Sequence, residues 1–367
     1  MATSPTIDVS ALLAPISESA PAGVNLRLDD SPKSMYFRLK DARSGARAAE
    51  RRADIEVGTQ ALAAEWQIIL SLAPKALAEA SKDLEVVAWY IEGLVRAHGF
   101  AGLRDGVQLA QGLVEQYWDT FFSLEDEDGL ATRLAPLGGL NGQGGEGTLI
   151  QPIRKVAITQ AGEPAPFAIY NFDEARALAQ VTDAEARARR EEAGVVSMER
   201  FTAAVNESGG VYYIGLLEDI EECLASLQGL GTALNERGGR AAPSTSDLIS
   251  LLTTIRDTVA NFSADLVKAA RAAAAVGVSA PADGRAVPGA APFAEGPIRG
   301  REEALRTLLQ VAEYFRKFEP HSPISTSLEE LVRRARMPFA ELLAELLPDA
   351  TAWRSVLTSA GIKPPPE

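Results

Sequence analysis

Glu319, Pro320, His321, Ser322 and Pro323 place a carboxylate, an imidazole and a hydroxyl side by side, the group types of a nucleophilic hydrolase. Adjacency works against that chemistry. A nucleophile and its base must face one another while a third group orients the base, and chain neighbours do not face. The two prolines instead break a helix that ends near Phe318 and set the angle into the next, so the segment reads as an interhelical corner. His98, the other histidine, precedes Gly99 at a predicted helix end, where a cation complements the helix dipole. Cys223 falls on an apolar helical stripe and reads as a small buried hydrophobe. Two isolated histidines do not make a metal cluster. No catalytic residue, metal or cofactor is therefore assigned.

Two further patterns fail on context. The run Glu125, Asp126, Glu127, Asp128 before Gly129 has the charge of a calcium loop, but that register puts Leu124 at the first ligand position and Ala135 at the last. Gly142, Gly144 and Gly147 spell G-x-G-x-x-G, yet no strand precedes them and no helical pattern follows. A solvated turn and a loop are the readings. Downstream, Ile153 to Thr159 and Phe167 to Phe172 flank the turn-prone QAGEPAP and are predicted to pair as a small β-hairpin.

The elements that position these residues are helical. From Ser81 to Gly129, Leu84, Val87, Ala88, Ile91, Leu94 and Val95 recur at spacings of three and four, with Lys82, Glu85, Glu92 and Arg96 on the opposite face. Leu103, Val107, Ala110, Leu113, Val114, Tyr117 and Phe121 repeat the pattern after GFAG, which predicts a helical hairpin with Ser81 as N-cap and Gly99 as the first stop. Upstream, Leu12, Leu13 and Ile16 anchor an otherwise polar arm, and Ser31 and Pro32 are read as the start of a helix. That helix carries Arg43, Arg47 and Arg51 four apart on one face. The stripe is a candidate partner surface, with a solvated helix face paired to neighbouring acids as the favoured reading. A further helix, capped by Thr59, carries Trp66 and is bent by Pro74; Trp66, Trp89 and Trp118 are taken as packing residues.

Residues 173–208 read as a charged helical connector, followed by a long amphipathic helix from Ile214 and another from about Ser246 to Ala275, an antiparallel pair. Residues 277–297 are Ala, Pro and Gly with scarcely any large apolar side chain, a linker composition. Four short amphipathic helices follow, the second with a Ser327/Glu330 capping box. So small a core gains most from association with copies of itself. The 367 residues carry 36 Lys and Arg against 50 Asp and Glu, a net charge of -14 that disfavours nucleic acid and anionic membrane as main partners. A single cysteine fits a reducing compartment, and neither a leader nor a spanning segment is read, so a cytoplasmic location is expected.

SKDLEVVAWYIEGLVRAHGFAGLRDGVQLAQGLVEQYWD resembles the signature region of the ImpA/TssA family of type VI secretion proteins. ISESAPAGVNLRLDD, ARSGARAAERR and GPIRGREEALRTLLQVAEYFRKFEPHSPIS extend the resemblance over most of the chain, with residues 176–297 matching least. The fold expected is mainly α, multi-domain and built of helical hairpins: an ImpA-like region over 1–175, a middle hairpin over 176–276, a linker over 277–297 and an assembly domain over 298–367. The resemblance implies a non-enzymatic component that contacts baseplate, tube and sheath proteins and self-associates in a ring-like way. The alternatives are a helical adaptor outside secretion and, less favoured, a hydrolase using Glu319, His321 and Ser322.

Overall fold

The structure, a computed structural model, describes residues 2–53, 63–124, 129–142, 145–160, 162, 166–278, 301–318, 323–337, 342 and 345. Among these the chain forms helices α1 (Val9–Leu13), α2 (Met35–Ala53), α3 (Ala64–Glu79), α4 (Leu84–Tyr117), α5 (Leu130–Asn141) and α6 (Ile150–Arg154). They are followed by α7 (Ile169–Ala179), α8 (Ala184–Glu192), α9 (Met198–Gly238), α10 (Ser246–Val278), α11 (Arg301–Phe318) and α12 (Ile324–Arg336). Two compact units result, Met1–Ala280 and Pro281–Glu367.

The hairpin predicted around GFAG is α4. Its two halves turn on Gly99, whose φ of 57° and ψ of -134° a side chain would strain. The halves then pack so closely that a Cβ on Gly102 would lie 2.2 Å from the Leu94 carbonyl oxygen. Both apolar stripes are buried as the spacing required, from Leu84 through Leu94 and from Leu103 through Tyr117.

The polar face of α4 departs from expectation. Asp83, and not Ser81, caps the helix, accepting from the backbone N–H groups of Glu85 and Val86 at 2.9 and 3.1 Å. Ser81 sits in an antiparallel bridge to Gly23. Lys82, expected in solvent, has no exposed surface; its Nζ donates to the carbonyl oxygens of Leu12 and Leu77 at 2.6 and 2.7 Å. One ammonium thus ties α1 and the end of α3 to the start of α4. Without a carboxylate beside it, burial pushes its pKa down to about 8.

The arm before α1 is fixed by polar contacts as well as by Leu12 and Leu13. The Thr3 N–H and hydroxyl donate to Asp219, and those of Thr6 to Asp105. Arg104, nearly buried, donates to the Asp105 and Glu222 carboxylates and to the Thr3 carbonyl oxygen. Burial raises the Asp105 pKa, but Arg104 and Thr6 outweigh it and hold the carboxyl below the ordinary range. Helix α2 begins at Met35 instead of Ser31, because Ser31 to Ser34 close a turn through the Ser34 N–H and the Ser31 carbonyl oxygen.

No strand occurs among the described residues. Where the small β-hairpin was expected, Ile150–Arg154 and Ile169–Ala179 are helical, leaving a single antiparallel bridge, Ala157 to Ala168. The two segments do meet: the Ile158 N–H donates to the Phe167 carbonyl oxygen at 2.7 Å. Phe172, Phe201 and Phe262, with centroids 5.2 to 5.9 Å apart, then join α7, α9 and α10 in one cluster.

Helices α9 and α10 form the antiparallel pair expected from the middle of the sequence, with α9 kinked at Gly209 and α10 running on to Val278. Cys223 is fully buried on α9, its thiol donating to the Phe100 carbonyl oxygen at 2.9 Å. Because α9 packs on α4, residues on both sides of position 175 lie in one hydrophobic core. The linker expected over 277–297 falls almost wholly outside the described residues. In the second unit α11 and α12 are the first two helices predicted there. The second starts at Ile324, so Ser327 lies within it and forms no N-terminal cap. Among the described residues no helix is long and apolar enough to cross a membrane.

Two outcomes follow from this packing. Gly102→Val, which drives a side chain into backbone, should lower unfolding free energy by about 1–3 kcal/mol or more in urea titration, whereas Gly139→Ala, with open space around its Cβ, should raise it by up to about 1 kcal/mol. Lys82 sets a pH dependence. Below about 8 it is charged folded and unfolded, and burial costs stability; between there and its ordinary 10.5 only the unfolded chain holds the proton, so stability should rise with pH. The difference in urea midpoint between the wild type and Lys82→Met across that window measures it, and a flat difference would refute it.

Candidate functional site

The arginine stripe of α2 lies against the first half of α4, and its three members do different things. Arg43 forms a bidentate pair with Glu92, Nε to Oε2 at 3.0 Å and Nη2 to Oε1 at 2.7 Å. Glu92 has 1% of its side chain exposed and also accepts from the Thr148 hydroxyl at 2.6 Å. A carboxylate so buried is stable as an ion only with such partners. Arg43 is therefore a structural residue, paired to a neighbouring acid that is buried and not solvated.

The neighbouring carboxylates are engaged in the same manner. Glu50 accepts from Arg96 at 2.5 and 2.9 Å and from the Trp66 indole N–H at 2.7 Å, with the Arg96 guanidinium 4.2 Å from the Trp66 ring centre. Glu85 accepts from Arg27 and from the Tyr36 hydroxyl, and Arg27 also holds Asp83. Burial alone would lower the Arg27 pKa, but these two carboxylates raise it well above its ordinary value. Burial and the Glu85 charge push the Tyr36 phenol up to about 12.

What remains on this face is a cleft of ≈ 270 Å³ lined by Lys40, Arg43, Ser44, Arg47, Arg51, Glu85 and Trp89. Lys40 and Arg51 are exposed and Arg47 is half-buried. Among the described residues none of these three makes a hydrogen bond or an ion pair. Burial lowers the Arg47 pKa, and the Arg43, Arg51 and Arg96 charges add to that against the opposing pull of Glu92. A lining of this kind suits an anion.

The sequence singled out Arg43, Arg47 and Arg51, and the structure brings all three to this cleft. It missed Lys40 and Trp89, although Lys40 lies seven residues before Arg47 and hence on the same helical face. Glu319, Pro320, His321 and Ser322 lie outside the described residues; Pro323 stands at the start of α12.

Residues 13–142, which contain the whole cleft, match the family described as ImpA, N-terminal, type VI secretion system. The chain is 27% identical over 94% of its length to the type VI secretion system component TssA1 of Pseudomonas aeruginosa, covering 96% of that protein. The solved N-terminal domain, including the conserved ImpA N-terminal region, of the TssA component from Burkholderia cenocepacia aligns with a TM-score of 0.58 at 25% identity, over 72% of this chain and 98% of that one.

The unequal roles of the arginines are testable by stability. Arg43→Met leaves the Glu92 charge buried without its cation and should cost about 3–5 kcal/mol, much of it recovered by adding Glu92→Gln. Arg47→Gln should stay within about 0.5 kcal/mol of wild type. Equal losses for both single changes in denaturant titration would contradict the assignment.

Proposed function

We propose that this ImpA/TssA-family protein is a non-enzymatic assembly component of a bacterial type VI secretion system that contacts baseplate, tube and sheath proteins and coordinates building of the contractile tail. The observation that carries the reading is similarity to a TssA protein along nearly the full length of both chains. The relatives are named as components of that system, and the cleft on α2 suits recognition of an anion.

In this reading the region 298–367 self-associates into a ring-like hub. The strongly amphipathic α12, with Leu331 54% exposed, supports an apolar contact between copies. The Ala, Pro and Gly composition of 277–297 lets each N-terminal unit reach its own partner, so weak contacts add through effective concentration. In this reading His321 and Ser322 have no catalytic part.

Deleting the gene in its native cell should stop release of tube protein into the medium. Full-length protein should form a larger assembly by light scattering than a chain ending at Ala280, and His321→Ala with Ser322→Ala should still restore secretion. Secretion that survives the deletion would dismiss the role, and an unchanged oligomer after truncation would move the self-association surface into residues 1–280.

A further inference from the structure

The cleft on α2 has a charge imbalance that the described residues leave unpaired. Each carboxylate near it is already engaged: Glu92 by Arg43 and Thr148, Glu50 by Arg96 and Trp66, Glu85 by Arg27 and Tyr36. Among the described residues, Lys40, Arg47 and Arg51 are left facing the same ≈ 270 Å³ without a hydrogen bond or ion pair of their own. In a chain of net charge -14, a local excess of three cations is a feature of the site and not of the composition. We propose that this cleft is a docking site for an acidic segment of a partner protein, with Arg47 and Arg51 clasping its carboxylates, Lys40 at one end and Arg43 taking no part in the contact. This rests on the reading of the protein as an assembly component and names the chemistry of one of its partners.

Size and charge both select the occupant. Arg47 and Arg51 are one helical turn apart, about 6 Å along α2, which matches two carboxylates on one short segment. The volume admits a few side chains. A long polyanion such as nucleic acid would be repelled by the rest of the molecule. Glu85 at the edge adds a negative charge that weighs most against a dense phosphate cluster. Arg47, whose charge burial and neighbouring cations disfavour, is the member whose environment an incoming carboxylate relieves most.

The probe is fluorescently labelled hexaglutamate, titrated against the full-length protein by anisotropy, with unlabelled tripolyphosphate as competitor. Arg47→Gln with Arg51→Gln should weaken binding by about two- to thirtyfold, the worth of two solvent-screened charge pairs. Arg38→Gln with Lys75→Gln, which removes the same net charge from exposed positions elsewhere, should leave it unchanged. Circular dichroism and the unfolding midpoint of both double variants should match wild type. No binding by wild type, equal weakening in the two double variants, or tripolyphosphate displacing the peptide at lower concentration than unlabelled hexaglutamate would overturn the proposal. In the deletion strain the Arg47/Arg51 variant should restore secretion less well than wild type. Full restoration overturns the docking role and leaves the secretion reading intact, whereas secretion that never depended on the gene fails that reading while peptide binding is still scored separately.

Discussion

The first unit is built around a carboxylate in a place where carboxylates are expensive. Glu92 lies in the first half of α4 with no exposed residue surface, and its charge must be matched from two directions, by Arg43 of α2 and by Thr148 beyond α5. That requirement ties α2 to α4 by directional bonds, because a paired guanidinium tolerates little displacement. Arg96, one turn further on, repeats the device through Glu50, which in turn fixes Trp66 of α3. The three helices are keyed by directional bonds on one side and by apolar contact on the other.

The same logic extends to segments that lack large side chains of their own. The arm before α1 has too little apolar surface to hold its path, so Thr3, Thr6 and the carbonyl of Leu12 are taken up by Asp219, Asp105 and Lys82. Each acceptor or donor is buried or nearly so, where a hydrogen bond is stronger and a missing one costs more. The arm is consequently specified by polarity, and the helices beneath it by periodicity.

This division explains what could be read in the sequence. Three- and four-residue spacing gave α3, both halves of α4, α9 and α10, because apolar stripes on helices report burial directly. The turn at Gly99 was legible for the same reason. Lys82, Glu85 and Glu92 were placed on the face opposite the apolar stripe, and nothing in local spacing reveals that Lys82 and Glu92 are buried there. The segments around Phe167 were rightly seen to meet, but β-branched residues were read as strands when the backbone uses one bridge and spends its other hydrogen bonds in helices. At the cleft, arginine identity and spacing were visible while the division between Arg43 and Arg47 was not. It depends on where α4 places a carboxylate.

The contact between Thr3 and Asp219 joins residues 216 positions apart. During synthesis the earliest residues of the chain therefore wait, without their partners, until the first half of α9 has emerged from the ribosome. A hairpin such as α4 can close while it is still being made, but its outer surface stays uncovered until α9 arrives. Closure at such long range slows folding and lengthens the time for which apolar surface is open to other chains. The arm's last bonds then act as a latch: they form only once the first half of α9 has been translated, so a chain interrupted before Asp219 carries a loose N-terminus that proteases can grip.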